Sequence, residues 1–311
     1  MIVLTGTSGG LGSVVLDTVL DKELLAPNEI RLSTFSGQTK SARAVATGIE
    51  VRRGDLREPE TLVHAFGGAE AVFLVSYPSV GEERYDLHRN AIDAAKKAGV
   101  KHIIYTSLTF GGVDGVRSIA GVMQAHIKTV NYLKASGLSW TIIREATYAH
   151  LWNNFAGFLR LEEMGEFDVV VASDGPNCWA SRQDLGEGTA QIVGHWRDYV
   201  GRTINLTGPE LLTIKDIVDL YVKYTGRKVN FRIVGPEEAI EYHKRHNTLP
   251  PEQTPFLANW ASWHMGMEHG EVNYLDPTLE QLVDRKLQTV EAMADMLFKP
   301  EVNILDTKDF V

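Results

Sequence analysis

Short apolar runs alternate with helical patterns over the first 144 residues, and this alternation constrains the fold more than any other feature. The runs have the length of buried strands, and they are IVLTG, EIRLSTF, IEVRR, AVFLVS, HIIYTS and WTIIRE. Between them lie segments such as YDLHRNAIDAAKKAG, whose apolar residues recur at helical spacing up to Gly99. Strands that alternate with helices form a parallel sheet with helices on both faces. The sequence therefore predicts an α/β fold with a doubly wound parallel sheet.

A glycine-rich turn follows the first predicted strand. The segment GTSGGLG places Gly6, Gly9 and Gly12 just before a helical pattern. In dinucleotide-binding folds the first glycine permits a tight turn, the second lets the backbone approach a pyrophosphate, and the third lets the helix pack on the strand. The spacing G-x-x-G-x-x-G points to the short-chain dehydrogenase/reductase branch of the Rossmann-type folds. We expect Thr7 and Leu11 of this turn to contact the cofactor as well.

Composition and charge exclude several classes of function. The chain has 311 residues, of which 44% are hydrophobic, so it can bury a large core. A formal net charge of −9 without a run of Lys or Arg argues against direct nucleic-acid binding. The single cysteine, Cys178, excludes an intrachain disulfide and any site with several thiolates. No leader pattern or long apolar span occurs, so we expect a cytoplasmic protein without membrane contact.

The regular alternation of strand and helix patterns stops after residue 148, and this change predicts a second, smaller lobe. Three further strands are predicted, and they are FDVVVAS, RTINLTG and KVNFRIV. Predicted helices cover HLWNNFAGFLRLEEMG, SRQDLGEGTAQIVGHW with Asp184 as N-cap and Glu187 in the capping-box position, LLTIKDIVDLYVKYTG between Thr213 and Gly226, and Thr278 to Phe298. We expect an NAD(P)-binding Rossmann domain over residues 1–150, rejoined by residues 180–208. The α/β substrate lobe is expected over residues 151–311, mainly 151–179 and 209–311.

The loop after the second predicted strand bears on the choice of nicotinamide cofactor. NAD sites usually carry a carboxylate about 20 residues past the glycine turn, where it accepts from the ribose 2′-hydroxyl. The stretch RLSTFSGQTKSAR has no carboxylate, and Ser36 and Lys40 can donate to a 2′-phosphate. The sequence therefore favours NADP(H), with NAD(H) possible.

Ligands of parallel sheets bind beyond the carboxyl ends of the strands, so the residues that follow each strand are candidates. Asp55 is expected at the adenine, or alternatively as the cap of the helix that follows. The other expected contacts are Leu56 at the adenine ring, Ser76 and Tyr77 at the adenosine or ribose, and Thr106 and Ser107 near the nicotinamide ribose.

Several blocks together resemble the NmrA-like atypical short-chain dehydrogenase/reductases. They are GTSGGLG, VRRGDLREPETLVHAF, HRNAIDAAKKAGVKHIIYTSL, WTIIREATYAHLWNNF and SRQDLGEGTAQIV. Within that family they are similar to the quinone oxidoreductases of type 2 and to the triphenylmethane reductases. The resemblance is dense to about residue 207 and weak beyond Pro236. It implies a Rossmann domain with a small C-terminal substrate domain.

The catalytic pair of ordinary short-chain reductases is absent. Those enzymes use Tyr-x-x-x-Lys on the helix after strand five, and the matching segment here has Val122 and His126. His126 is a candidate catalytic and ribose-binding residue, or alternatively a satisfied structural histidine. Ala146, Thr147 and Tyr148 are expected at the nicotinamide end. Tyr148 is the second catalytic candidate because its hydroxyl can donate to an acceptor oxygen, although packing explains it as well.

The run FLANWASWHMGMEHGEV concentrates aromatic, Met and His side chains, which suit either a pocket for a flat aromatic acceptor or a helix core. His264 and His269 lie five residues apart, so we assign no metal. The leading hypothesis is an NADPH-dependent oxidoreductase that transfers hydride to a quinone-like or conjugated aromatic acceptor. One alternative is a non-catalytic NADP(H) sensor with a protein partner; another is a specialised biosynthetic reductase or isomerase. A homodimer is also compatible with the sequence.

Overall fold

The computed structural model describes residues 1–79, 81–163 and 165–298. The strands of this part are β1 (Ile2–Thr5), β2 (Ile30–Thr34), β3 (Glu50–Arg53), β4 (Ala71–Leu74), β5 (His102–Leu108), β6 (Ser139–Glu145), β7 (Thr147–Tyr148), β8 (Phe167–Val171), β9 (Asn177–Ala180), β10 (Thr203–Leu206), β11 (Glu210–Leu212) and β12 (Val229–Ile233). The helices are α1 (Gly10–Asp21), α2 (Ala42–Ala46), α3 (Pro59–Phe66), α4 (Glu82–Lys97), α5 (Gly121–Ala135), α6 (Trp152–Phe155), α7 (Arg182–Gly194), α8 (Ile214–Thr225), α9 (Pro236–Arg245), α10 (Phe256–Glu268), α11 (Thr278–Val283) and α12 (Ala294–Leu297). Among the described residues, no helix combines the length and the apolar character needed to cross a bilayer.

Seven strands form one parallel sheet in the order β10-β6-β5-β4-β1-β2-β3. This order confirms the predicted Rossmann-type doubly wound fold. All six runs predicted in the first half of the chain are strands of this sheet. The strand β1 pairs with β2 on one side and with β4 on the other. The carboxyl ends of these strands therefore border the crevice where the strand order reverses, which is where such folds bind ligands.

The two faces of the sheet are covered by different layers because side chains alternate along each strand. Ile2 and Leu4 belong to the core that includes α1, α7 and the second lobe. Val3 belongs to the core on the opposite face, with α3, α4 and α5. Helices α1 and α7 pack closely, since Gly186 of α7 lies directly against the side chain of Val14.

The second lobe contains two small sheets. One has the order β11-β9-β7, and the other pairs β12 with β8 in parallel. Strand β10, which lies between β9 and β11 in the chain, belongs to the large sheet and pairs with β6. The division into domains, including the return of residues 180–208 to the first domain, stays a prediction. The expected ends of α8 are confirmed, since Thr213 caps it and Gly226 closes it at a φ of 69°.

The expected N-cap of α7 is wrong. Ser181 caps the helix by accepting from the amide of Asp184, and Asp184 instead accepts from the amide of Gln288 and pairs with Arg285. The expected capping-box carboxylate, Glu187, also pairs with Arg285. A serine hydroxyl three residues upstream is a good cap, which leaves both carboxylates for tertiary contacts.

Two long predicted helices are short in the structure. The helix expected to start at His150 is a single turn of 3-10 helix followed by α6, because the Asn153 side chain turns the chain back by bonding both the amide and the carbonyl of Leu159. The helix expected over Thr278 to Phe298 ends at Val283, where Asp284 takes a φ of 55°. The contacts of Arg285 and Gln288 with α7 outweigh the helical propensity of this segment.

Candidate functional site

A cleft with a volume of about 420 Å³ lies at the carboxyl edge of the large sheet and continues into the second lobe. Most of the residues expected at the cofactor line it. They are Gly6, Gly9, Leu11, Gly12, Asp55, Leu56, Ser76, Tyr77, Thr106, Ser107, His126, Ala146, Thr147 and Tyr148. Thr7 is buried beside the turn, while Ser36 and Lys40 lie on the exposed loop after β2, outside the lining. The lining residues in this part of the chain are instead Ser33 and Thr34 at the end of β2, and Phe35 directly after it.

The glycine turn exposes the N-terminus of α1 to the cleft. Gly6 has a φ of 66°, which glycine adopts without strain, and its carbonyl accepts from the amide of Gly9 at 3.0 Å. A β carbon on Gly12 would collide with the backbone of Gly6. Gly9 caps α1 without a side chain, and the first turn carries no acidic residue. The free amides and the positive end of the helix dipole are therefore available to an anion.

Arg182 brings a cation to the same turn from far along the chain. It starts α7, and a β carbon on Gly10 would run into its guanidinium group. The guanidinium carbon is 5.4 Å from the centre of the Tyr148 ring, and Nη2 contacts His150. Burial and Arg182 together lower the pKa of His150 to about 3. The Nε atom of Arg182 is buried and has no hydrogen-bond partner among the residues that the structure describes, so it can donate to a ligand.

Four buried hydroxyl groups beside the cleft also have no hydrogen-bond partner within the described part of the chain. Ser33 stands near the end of β2, Ser76 follows β4, Ser107 lies near the end of β5, and Thr7 lies in the glycine turn. Buried polar atoms in native proteins are almost always paired. Unpaired hydroxyls at the ends of four neighbouring strands fit the ribose and phosphate oxygens of a dinucleotide.

The adenosine end of the cleft is built around Asp55 and Tyr77. Asp55 is buried, and its carboxylate accepts from the amide of Arg57, so it closes the turn before α3, whereas Glu58 occupies the N-cap of that helix. Arg57 donates to the hydroxyl of Tyr77 and to Glu83. These contacts tie the loops after β3 and β4 together across one end of the cleft.

A buried polar network lies beneath the ribose region. Arg84 donates to the carbonyl of Tyr77 and to Nε2 of His126, so the neutral His126 ring carries its proton on Nδ1, toward the hydroxyl of Tyr105. Burial, Arg84 and His88 hold the pKa of His126 well below its ordinary value. Both ring nitrogens thus have protein partners, which favours the structural interpretation of His126. Burial lowers the pKa of Arg84 to about 10, and Arg84 makes no ion pair with a described residue.

Tyr148 stands at the boundary between the two lobes and is bonded to a buried carboxyl group. Its hydroxyl donates to Oε2 of Glu145 at 2.7 Å, and Thr189 donates to Oε1 at 3.0 Å. Glu145 is 1% exposed, and burial raises its pKa to about 7 although the two hydrogen bonds and Arg182 oppose this shift. The sequence places Glu145 at the end of the apolar run WTIIRE, among the residues that end a strand, but sequence reasoning gave it no role.

The far end of the cleft has an apolar wall, and half of its side chains are aromatic. Its members are Leu108, Phe110, Val122, Leu151, Phe155 and Trp263. Trp263 belongs to α10. Among the residues of the run FLANWASWHMGMEHGEV, it is the one that lines the cleft. Trp260 and His264 are core residues, bonded to the carbonyls of Asn154 and Phe155. In the described part of the chain, no cluster of His, Cys, Asp and Glu is arranged to hold a metal ion.

The fold and the cleft define a Rossmann-type protein with a deep cleft at the carboxyl edge of its parallel sheet. Residues 1–293 match the model of the NmrA-like family, and the chain belongs to this family. A relative named NmrA-like family domain-containing oxidoreductase flvB, from Aspergillus flavus, is 29% identical over 286 residues, which cover 91% of this chain and 90% of that protein.

Two solved structures are similar over nearly the whole chain. The NADPH-dependent quinone oxidoreductase QOR2 from Escherichia coli, in complex with NADPH, superposes with a TM-score of 0.79 at 28% identity, over 96% of this chain and 100% of that chain. The triphenylmethane reductase of Citrobacter sp., in complex with NADP(H), has a TM-score of 0.77 at 25% identity, over 95% of this chain and 99% of that chain. The predicted resemblance to the NmrA-like family is confirmed.

Proposed function

We propose that this protein is an NADPH-dependent oxidoreductase that transfers a hydride to a quinone-like or other conjugated aromatic acceptor. The observation that carries the proposal is one continuous cleft that joins the glycine turn to an aromatic wall, with Tyr148 between them. The broader class, an NAD(P)H-dependent oxidoreductase, agrees with the names of the relatives in Aspergillus flavus and Escherichia coli. The acceptor class rests on the chemistry of the cleft wall.

NADPH, when bound, would supply the hydride. The residues present fit such a ligand: the N-terminus of α1 and the unpartnered Nε of Arg182 suit the diphosphate, and the unpartnered hydroxyls suit the ribose oxygens. Preference for NADPH is supported by the lack of a carboxylate from Arg31 to Arg43. Phe110, Phe155 and Trp263 exclude water from the other end and offer flat surfaces to a conjugated ring.

The test is oxidation of NADPH by the purified protein in the presence of quinones, conjugated aldehydes and cationic dyes, with NADH in parallel. We expect turnover above the rate without enzyme for at least one quinone, and tighter binding of NADPH than of NADH. Binding of NADPH without turnover of any acceptor would contradict the proposal and favour the cofactor-sensing regulator. Equal dissociation constants for the two cofactors would contradict the preference alone.

Replacement of Arg182 by methionine tests the proposed diphosphate contact. The dissociation constant of NADPH is expected to rise about tenfold to hundredfold, because a hydrogen bond to a charged group contributes about 1.5–3 kcal/mol. Binding is measured by quenching of tryptophan fluorescence. Arg197→Met is the control, since Arg197 is an exposed arginine outside the cleft lining. A dissociation constant within twofold of the wild type would remove Arg182 from the cofactor site.

A further inference from the structure

The carboxyl group of Glu145 is the buried acid at the floor of the cleft. It ends β6, lines the cleft, and is joined to Tyr148 by the hydrogen bond from Oη to Oε2. Tyr148 is partly exposed to the cleft, whereas Glu145 is almost completely buried. Tyr148 is therefore the member of the pair that an acceptor can reach.

Each carboxyl oxygen of Glu145 faces one hydroxyl group. Oε1 accepts from Thr189 and Oε2 accepts from Tyr148, so a proton on Oε2 lies on the oxygen that faces Tyr148. In the protonated carboxyl the bond to Tyr148 can reverse, so that Oε2 donates to Oη. The Tyr148 O–H can then point at an acceptor oxygen.

The charged groups around the pair favour transfer of a proton out of it. Arg182 from α7 acts on both Glu145 and Tyr148, and His150 stacks on the Tyr148 ring in its neutral form. Arg84 from α4 also interacts with Tyr148 and has no acid partner among the described residues. Two cations beside Tyr148 stabilise the negative charge that appears when its proton leaves.

We propose that Tyr148 and Glu145 form a two-step proton relay that serves acceptors reduced at an oxygen atom. This inference rests on the proposed function. A quinone that gains a hydride, which is two electrons and one proton, becomes an anion at oxygen. Tyr148 Oη gives its proton to that oxygen, and Glu145 Oε2 gives its proton to the tyrosinate. The Glu145 carboxylate is protonated again by water when the product leaves, so one hydride and one proton yield the neutral hydroquinone.

A cationic triarylmethane dye differs from a quinone because its reduction needs no proton donor. Addition of a hydride to the cation yields a neutral product, and no proton is taken up. The two positive arginine side chains also repel a cation from this end of the cleft. The relay therefore predicts a preference for quinones and conjugated carbonyl compounds over cationic dyes.

The experiment compares one quinone with one cationic dye in the wild type and in the variants Glu145→Gln and Tyr148→Phe. We expect the ratio of the quinone rate to the dye rate to fall about a hundredfold in each variant. A hundredfold is the lower end of the rate enhancement that general acid catalysis ordinarily provides. Glu238→Gln, an exposed carboxylate outside the cleft lining, is the matched control, and its ratio should stay at the wild-type value.

The pH profile provides a readout that a purely structural role would not move. Because the protonated form of Glu145 is the active form, kcat for the quinone should fall as the pH rises through about 7. This inflection should vanish in Glu145→Gln. It should move to higher pH in Thr189→Val, since the lost hydrogen bond had stabilised the carboxylate. Infrared difference spectra of the protein without substrate should show the carboxylic acid band of Glu145 disappearing over the same pH range.

The outcomes separate the relay from the proposed function. Equal losses for quinone and dye in Glu145→Gln and Tyr148→Phe would overturn the relay and leave an oxidoreductase. Reduction of the dye without reduction of any quinone would also overturn the relay, and the protein would still be an oxidoreductase. If the wild type reduces neither acceptor while NADPH binds, the proposed function fails and the relay falls with it. An infrared titration of Glu145 near pH 4 would also overturn the relay.

Discussion

Alanine in place of Gly9 is expected to leave the protein folded and to weaken NADPH binding at least a hundredfold. Gly9 has an extended backbone, with φ at −90° and ψ at 170°, and a β carbon there would meet only the Gly6 carbonyl oxygen, at 3.4 Å. The same β carbon would stand before the free amides of α1 and hold a diphosphate away from them. A hundredfold change corresponds to about 2.7 kcal/mol, the order of a lost set of charge-assisted bonds.

A matched control exists in the same chain. Gly81 is also a helix N-cap with an extended backbone, at the start of α4, and a β carbon on it would meet nothing within 4 Å. Gly81→Ala therefore carries the same cost of replacing a glycine cap without the effect on the cleft. Calorimetric titration with NADPH and thermal unfolding of both variants check the prediction. Equal cofactor affinity in Gly9→Ala and Gly81→Ala would show that the diphosphate does not approach this turn.

Methionine in place of Arg144 is expected to lower the free energy of unfolding by about 3 kcal/mol or more, since several bonds to a charged group are lost at once. Arg144 is 2% exposed, and its guanidinium donates to Asn205 Oδ1 and to the carbonyls of Leu108, Thr109, Phe110, Gly112 and Val113. Burial lowers the pKa of Arg144, but removal of its side chain takes a donor from each of these carbonyls, and among the described residues only those of Thr109 and Val113 keep another side-chain donor, from Tyr274 and Asn205. Because Leu108 and Phe110 line the cleft, acceptor binding should weaken too.

Urea unfolding measures the effect on stability. Arg144→Lys should fail to restore it, because an ammonium group has three donors and cannot match the planar fork of a guanidinium. Arg202→Met is the control, since Arg202 is exposed and stacks only on the ring of Tyr199. A loss below 1 kcal/mol in Arg144→Met would mean that water replaces the guanidinium at these carbonyls.

The large sheet could be predicted because its strands are short apolar runs separated by helical patterns. The sequence of the second lobe was less informative, since contacts distant in the chain determine its helices: Asn153 ends one and Asp184 helps to end another. The strands β7, β9 and β11 were not predicted, and each has at most four residues, too few to show a period.

The cleft was predictable in the parts that follow strands directly and unpredictable in the parts that reach it from elsewhere. The glycine turn and the residues after β4 and β5 are adjacent in sequence to the strands that position them. Arg182 arrives from the start of α7, and Arg84 from α4. The sequence around these two arginines does not indicate that they reach the cleft, because an arginine near the start of a helix is ordinarily exposed to solvent.

The hydroxyls of Thr7, Ser33, Ser76 and Ser107, which have no partner among the described residues, connect ligand binding in the cleft to the stability of the folded chain. Each hydrogen bond that a bound ligand makes to one of these hydroxyls contributes about 0.5–1.5 kcal/mol to the folded state. A ligand that forms these hydrogen bonds therefore stabilises the folded protein, and the melting temperature is expected to rise with the logarithm of the ligand concentration.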